Sequence, residues 1–495
     1  MPLARTPHAV QRQVGFVDTT LRDAHQCLWA TRMTTAMMLP MCDRLNRIGF
    51  SCIDFMGLVQ FDVCVRYLKE DPWERIRLVR KRISNVPLKS YLRSKSLMGF
   101  DILPDDVNAL WVERLVANGI GMVCAFDALA DLDNIVPNLK LAKHLGAKTC
   151  GALVFCESPV HTDAFFASKA KELVERANVD WLMIKDSGGL LGIDRVRSLV
   201  PALRAAVGRT PIELHSHCLT GITPLVYHEG VKLGVDIVDT SIAPLANGPA
   251  QPATQTMARN LEELGFGVRL DMQMVDDVSK YFRRVADQES KPLGVPLAYD
   301  AFHYQHQLPG GMLSNLKFQL ESAGLLSRFP QVLQECARIR RELGWPIMVT
   351  PFAQLVGTQA VLNVVHGERY KVVPDEVKKY ALGHYGKLLA PVEPNVLDRI
   401  VHNGSERISL HPAAQEPAVP TLRRKYPKLS DEERLLRFCF AGNQVDEMRA
   451  AGPMPTNYRF EKPIDTLIRE VTRRKSWHYV RITGGGADFT LGNSS

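Results

Sequence analysis

Two histidines one residue apart, His215 and His217, close the apolar run Ile212-Glu213-Leu214. Side chains at i and i+2 of a strand share a face. Both imidazoles therefore point the same way, and a pair at that spacing chelates a metal. The other reading is two imidazoles bonded to backbone carbonyls. Lys185 ends a second apolar run, Leu182-Met183-Ile184. Burial disfavours the charged ammonium, and a neutral amine adds carbon dioxide to become a carbamate, an anionic oxygen ligand. Alternatively, Lys185 is an ammonium paired with Asp186. A third run, Val14-Gly15-Phe16-Val17, breaks into Asp18-Thr19-Thr20-Leu21-Arg22-Asp23-Ala24-His25-Gln26. Here Asp23 would hold a metal while Arg22 and Gln26 face a ligand, or Arg22 and Asp23 would form an ion pair capping the next helix. Together Asp23, Lys185, His215 and His217 offer two nitrogens and two oxygens. That set suits Zn²⁺, Co²⁺ or Mn²⁺ and leaves room for a substrate oxygen. Such an ion beside a carbonyl acts as a Lewis acid and stabilises an enolate. Arg93 ends another strand-like run and would clamp a carboxylate in a bidentate pair. Its alternative is a surface ion pair with Asp101 or Asp105.

These groups need a frame that gathers the ends of several strands. Strand-like segments begin near Val14, Cys52, Pro87, Met122, Lys148, Trp181, Pro211 and Ile237, with amphipathic stretches between them. Eight strand–helix units in this length is the pattern of a (β/α)₈ TIM barrel, with its site at the carboxyl ends of the strands. A doubly wound sheet is the competing layout, but it carries a glycine-rich loop after its first strand. Thr20-Leu21-Arg22-Asp23 stands there instead. The pattern changes after Gly265. Helices are expected over 315–323, 329–343, 354–365 and 375–385, a proline-rich linker over 389–428, and a helix capped by Ser430. The α/β barrel domain is placed at 1–285, a mostly helical C-terminal domain at 286–480 and a flexible tail at 481–495.

Charged residues make up 23% of the chain and hydrophobic residues 46%, as in a globular protein with ample core. No apolar run approaches the roughly 18–20 residues that span a bilayer. The N-terminus lacks an apolar signal core, so a cytoplasmic protein is expected. The net charge of +8 sits in local clusters without interleaved aromatics, which argues against nucleic acid and suits an acidic ligand or partner. Ten cysteines without a CxxC pair read as small buried hydrophobes in a reducing compartment.

The motifs Asp18 to Gln26, Glu70-Asp71-Pro72-Trp73-Glu74-Arg75, Ser158-Pro159-Val160-His161-Thr162, Lys185-Asp186 and His215-Ser216-His217 resemble the biotin-dependent carboxyltransferases that act on keto acids. The likeness continues through His306 to Leu316, Val349-Thr350-Pro351 and Gln354 to Ala360, and spans about residues 12–460. The family comprises the carboxyltransferase part of pyruvate carboxylase, the α subunit of oxaloacetate decarboxylase and the keto-acid-side subunit of transcarboxylase. The resemblance implies a divalent metal on Asp23, carbamylated Lys185, His215 and His217, and a helical domain that completes a funnel. It implies that Gln26 and Arg93 hold the keto acid, that Arg22 lies near its carbonyl, and that Asp62 and Phe100 sit at the biotin pocket. A homodimer is also implied.

The chain departs from the family at Met56-Gly57-Leu58-Val59-Gln60, at Phe100 where a tyrosine is usual, and at Ser187-Gly188. In 245–252, no hydroxyl stands where pyruvate carboxylases have a relay threonine. These changes surround the acceptor, a 2-oxo acid such as pyruvate or a related carbonyl compound. No Ala-Met-Lys-Met segment is present, so biotin would come on a separate carrier protein, charged by a separate biotin carboxylase subunit. Rival readings are a biotin-independent lyase or aldolase-type condensing enzyme, and a non-catalytic scaffold subunit.

Overall fold

The computed structural model describes residues 12–460, 470, 479–484 and 487–492. Eight parallel strands close a barrel in sequence order: β1 Gly15–Asp18, β2 Cys52–Met56, β3 Leu88–Arg93, β4 Met122–Phe126, β5 Lys148–Val154, β6 Trp181–Asp186, β7 Ile212–Ser216 and β8 Ile237–Thr240. Each begins within one residue of its expected start. β1 pairs with both β2 and β8, which closes the ring. The strands are buried along nearly their whole length, because helices cover the outside and side chains fill the inside.

The outer helices are anchored by apolar faces. Trp73 on the helix Pro72–Arg82, Trp111 on the helix Asp105–Ala117 and Phe61 meet with ring centroids 4.7–5.2 Å apart. Asp71 caps the first of these helices, accepting from the Trp73 and Glu74 amides.

Beyond the barrel the chain is helical. The helix Met272–Gln288 runs through the expected boundary at residue 285, and the break falls in the coil 291–300. Helices Gly310–Ser322, Phe329–Glu342, Phe352–His366 and Asp375–Ala381 follow. The expected linker 389–428 is not structureless. It holds the helices Pro394–Asn403 and Val419–Lys425, each opened by a proline in its first turn. Val396 and Ile400 are buried one turn apart, so packing of one face stabilises a segment whose composition reads as a wrap. Ser430 caps the next helix, Asp431–Cys439, as expected. Strands stand in the region assigned to a flexible tail: Tyr479–Gly484 (β9) pairs antiparallel with Ala487–Gly492 (β10). Their polar–apolar alternation has the period of a strand. Residues 485, 486 and 493–495 lie outside the described residues. No helix among the described residues is long and apolar enough to cross a membrane.

The helical part is tied to the barrel by polar contacts. The Gln307 side chain bonds both backbone groups of Glu157, after β5. The amides of Ala418 and Val419 donate to Asp106.

Candidate metal centre at the barrel mouth

Strand register brings the expected ligands together. Lys185 on β6 pairs directly with His215 on β7. Its Nζ lies 3.2 Å from His215 Nε2. Lys185 and Asp186, as strand neighbours, face opposite ways. Asp186 turns outward to accept from the Leu190 and Leu191 amides and the Ser216 hydroxyl. The alternative Lys185–Asp186 ion pair is therefore absent.

After β1 the chain enters a wide π-type turn, Thr20–Ala24, closed by the Ala24 amide on the Thr19 carbonyl at 3.1 Å. Turns of this kind recur at functional sites. It buries Arg22 and Asp23 over the barrel. Asp23 Oδ2 lies 3.2 Å from His215 Nε2 and 3.2 Å from His217 Nε2, and the two Nε2 atoms are 3.2 Å apart. Donors about 2.0 Å from one ion at tetrahedral angles would be about 3.3 Å apart, so the triangle has the right size.

Each imidazole is fixed from behind. His215 Nδ1–H donates to Asp239 at 2.7 Å, and His217 Nδ1–H donates to the Pro249 carbonyl at 2.6 Å. Both Nε2 atoms are thereby directed at Asp23, as in metal sites where a second partner sets the tautomer. For His217 the carbonyl contact foreseen as an alternative exists, but it orients the ring rather than occupying it.

The electrostatics match a site for a cation. Burial pushes His215 down to about 3, with Lys185 adding to the effect. Burial also opposes a charge on His217, but Asp23 outweighs it and holds this ring up at about 10. Burial would raise Asp23, yet Arg22 and His217 keep it well below the usual carboxylate range. Burial lowers Lys185, which favours its neutral amine. Asp23, His215 and His217, all buried with Lys185 beside them, offer donor atoms that fit a divalent ion once it displaces the protons they carry.

The other expected residues separate into two groups. Arg22 belongs to the cluster: Nη1 meets Asp23 Oδ1 at 3.0 Å, Nε meets Asp54 at 2.7 Å, and the guanidinium lies 4.3 Å from the Tyr91 ring centroid. The foreseen Arg22–Asp23 pair is thus real, and it braces Asp23 within the cluster. Gln26 lies on the following short helix and accepts from Gln60 Nε2 at 3.1 Å. Arg93 is buried beyond Tyr91 on the same face of β3, and burial pushes it down to about 10. Asp101 pairs instead with Lys379, and Asp105 with Lys95. No carboxylate among the described residues pairs with Arg93, and its Nε has no hydrogen-bond partner. Asp62 and Phe100 are outside the cluster: Asp62 accepts from Arg66 at 3.3 Å, and Phe100 is half-buried in the loop after β3.

Besides Asp54, three neighbours were not anticipated. Tyr91 lies under Arg22 and Lys185 Nζ, the latter 4.7 Å from its ring. Its place two residues before Arg93 was a usable signal. Asp239 interrupts a buried strand, which was another. Gln251 had none. Its Nε2 donates to Asp23 Oδ2 at 2.8 Å, while its Oε1 accepts from Thr19 Oγ1 at 2.8 Å.

Two family models match the chain: an HMGL-like domain over residues 124–281 and a conserved carboxylase domain over residues 304–442. A pyruvate carboxylase subunit from Methanocaldococcus jannaschii is 41% identical over 426 residues, covering 86% of this chain and 74% of that protein. The methylmalonyl-CoA carboxyltransferase 5S subunit of Propionibacterium freudenreichii is 33% identical over 465 residues, covering 93% and 90%. The carboxyl transferase domain of Rhizobium etli pyruvate carboxylase, solved with oxamate and biotin, superposes with a TM-score of 0.81 at 27% identity, covering 90% of this chain and 79% of that one. With this barrel and helical part, the relatives place the chain among enzymes of carboxyl transfer. The chain belongs to the biotin-dependent carboxyltransferase family, as the subunit type that carries the carboxyltransferase reaction.

Proposed function

We propose that this subunit moves a carboxyl group between carboxybiotin on a separate carrier protein and a 2-oxo acid such as pyruvate. Asp23, His215, His217 and a carbamate on Lys185 would hold a divalent ion, Zn²⁺, Co²⁺ or Mn²⁺. Bound there, the ion supplies a Lewis acid that polarises the acceptor's carbonyl. Arg93, a buried guanidinium without a carboxylate, clamps the acceptor's own carboxylate. Gln26, held by Gln60, adds a polar contact. Arg22 carries fixed positive charge beside the carbonyl oxygen, because Asp23 and Asp54 keep it ionised against the cost of burial. In the transfer the acceptor carbon exchanges a proton for the carboxyl group, and the biotin nitrogen does the reverse.

The observation that carries this reading is the 3.2 Å triangle of Asp23 Oδ2, His215 Nε2 and His217 Nε2, with both Nδ1 atoms already engaged. The HMGL-like match keeps a biotin-independent lyase as the second reading, while the conserved carboxylase match over the helices favours carboxyl transfer. A biotin carboxylase subunit and a biotin carboxyl carrier protein complete the assignment. We also assign a homodimer with Asp62 and Phe100 at the biotin-facing side, and a cytoplasmic location supported by ten free thiols. The test measures bound metal in the purified protein and its carboxylation of 2-oxo acids with biotinylated carrier, biotin carboxylase, ATP and bicarbonate. Metal together with carrier-dependent carboxylation is expected. Cleavage or condensation without any biotin protein would establish the lyase instead.

A further inference from the structure

A fourth side chain, outside the ligand set proposed above, closes the figure drawn by Asp23, His215 and His217. Gln251 is fully buried in the loop after β8. Its Nε2 lies 2.8 Å from Asp23 Oδ2, 3.4 Å from His215 Nε2 and 3.3 Å from His217 Nε2. Those three atoms are 3.2 Å from one another. The amide atom therefore stands at the fourth corner of a near-regular tetrahedron. Corners with edges of that length lie about 2.0 Å from the centre, the bond length of a divalent ion to nitrogen or oxygen. Lys185 Nζ stands to one side, 3.2 Å from His215 Nε2.

The loop is built to hold this corner. The Asn247 amide donates to the Gln251 carbonyl at 2.7 Å, and the Cys218 amide to the Ala250 carbonyl at 2.9 Å. The turn is tight enough to place Asn247 at φ 72° and Gly248 at φ 58°. The neighbouring Pro249 carbonyl accepts from His217 Nδ1. One loop thus aims an imidazole and brings the amide to it. A residue needed only to brace Asp23 would gain nothing from standing equally close to both imidazoles.

The amide faces the cluster with its N–H, which bonds Asp23. A cation at the centre would reverse that preference, because the amide nitrogen only donates while the carbonyl oxygen carries the lone pairs. A half-turn of the amide exchanges the two atoms, and it costs no hydrogen bond on the far side. There Oε1 accepts from Thr19 Oγ1 at 2.8 Å and Ser241 Oγ at 3.3 Å, and hydroxyls accept from an N–H as readily as they donate. The Thr19 proton then goes to the Thr240 carbonyl, 3.1 Å away. The geometry points to Gln251 as a further ligand of the metal centre, through its amide oxygen. This rests on the metal reading given above and adds a donor to Asp23, His215, His217 and the Lys185 carbamate. Zinc-type sites accept a fifth ligand.

Two measurements on the full-length protein test it: a crystal structure with Co²⁺ soaked in, and Co²⁺ titration read by the visible spectrum for the unsubstituted protein and Gln251→Leu. The amide oxygen is expected about 2.0–2.2 Å from the ion. Q251L should bind Co²⁺ about tenfold more weakly or worse, since loss of even an outer hydrogen-bond partner costs that much. Its visible bands should shift as one donor is lost. A loaded structure in which the amide still donates to Asp23 overturns the inference and leaves the metal reading standing. So does a Q251L protein with unchanged affinity and spectrum. Should Q251L not fold, the loaded structure of the unsubstituted protein decides alone. An unsubstituted protein that binds no Co²⁺ overturns both readings.

Discussion

Lys185 Nζ lies 3.2 Å from His215 Nε2, at one level of two neighbouring barrel strands. The amine faces the cluster, and burial favours its neutral form. Lys185→Ala should therefore lose metal and turnover together. Turnover should fall about 10²-fold or more, the scale for losing an electrostatic stabiliser at a reacting oxygen. Metal analysis and carboxylation assays on the same preparation check this; full metal content at an unchanged rate would contradict it.

Arg93 is buried without a carboxylate, its Nη2 donating to the Gly99 carbonyl, and in the proposed reaction the acceptor's carboxylate would be its counter-ion. Arg93→Lys keeps the charge but loses the fork that binds a carboxylate through two bonds. One charge-assisted bond contributes about 1.5–3 kcal/mol, so KM for the 2-oxo acid should rise about tenfold or more, with a smaller effect on kcat. An unchanged KM would move the acceptor's carboxylate elsewhere.

Acid should destabilise the fold through histidines away from the metal centre. Burial pushes His161 down to about 3, with Arg340 and Arg195 adding to it, and pushes His306 down to about 4, with His303 adding to it. Both lie below the unfolded value of about 6.5, so the unfolded chain binds more protons as pH falls below that value. Stability is complete above about pH 6.5 and is lost progressively down to about pH 4 for His306 and about pH 3 for His161. At pH 5 the loss is about 2 kcal/mol per histidine. Denaturant unfolding at pH 7.5 and 5.0 measures it, and His161→Asn should remove about half of the drop. Equal stability at both pH values would contradict the assignment.

Trp111 is fully buried against Trp73 and Phe61, with centroids 5.2 and 4.7 Å away. Trp111→Ala should cost about 3–5 kcal/mol. Because the cluster lies on outer helices, metal affinity of the folded fraction should not change. Thermal unfolding and metal titration separate the two effects.

Much of the barrel was legible because its signals are local. Each strand is a short apolar run bounded by turn residues, so the starts at Cys52, Met122, Lys148, Trp181 and Ile237 could be read directly. The common face of His215 and His217 follows from strand geometry alone. The helices within 389–428 were hidden because proline suggests a linker, whereas Pro394 occupies the first turn, where its missing amide costs nothing.

The amino-acid order by itself determined which groups could do chemistry and that they stand at strand ends. Only the closed barrel decided which of them meet. Register set Lys185 beside His215, and the turn after β1 swung Asp23 to within 3.2 Å of both imidazoles. Gln251, 228 residues from Asp23 along the chain, joins them by an amide hydrogen bond. Contacts between such distant segments leave no periodicity in either one, because their proximity comes from ring closure and not from local conformation.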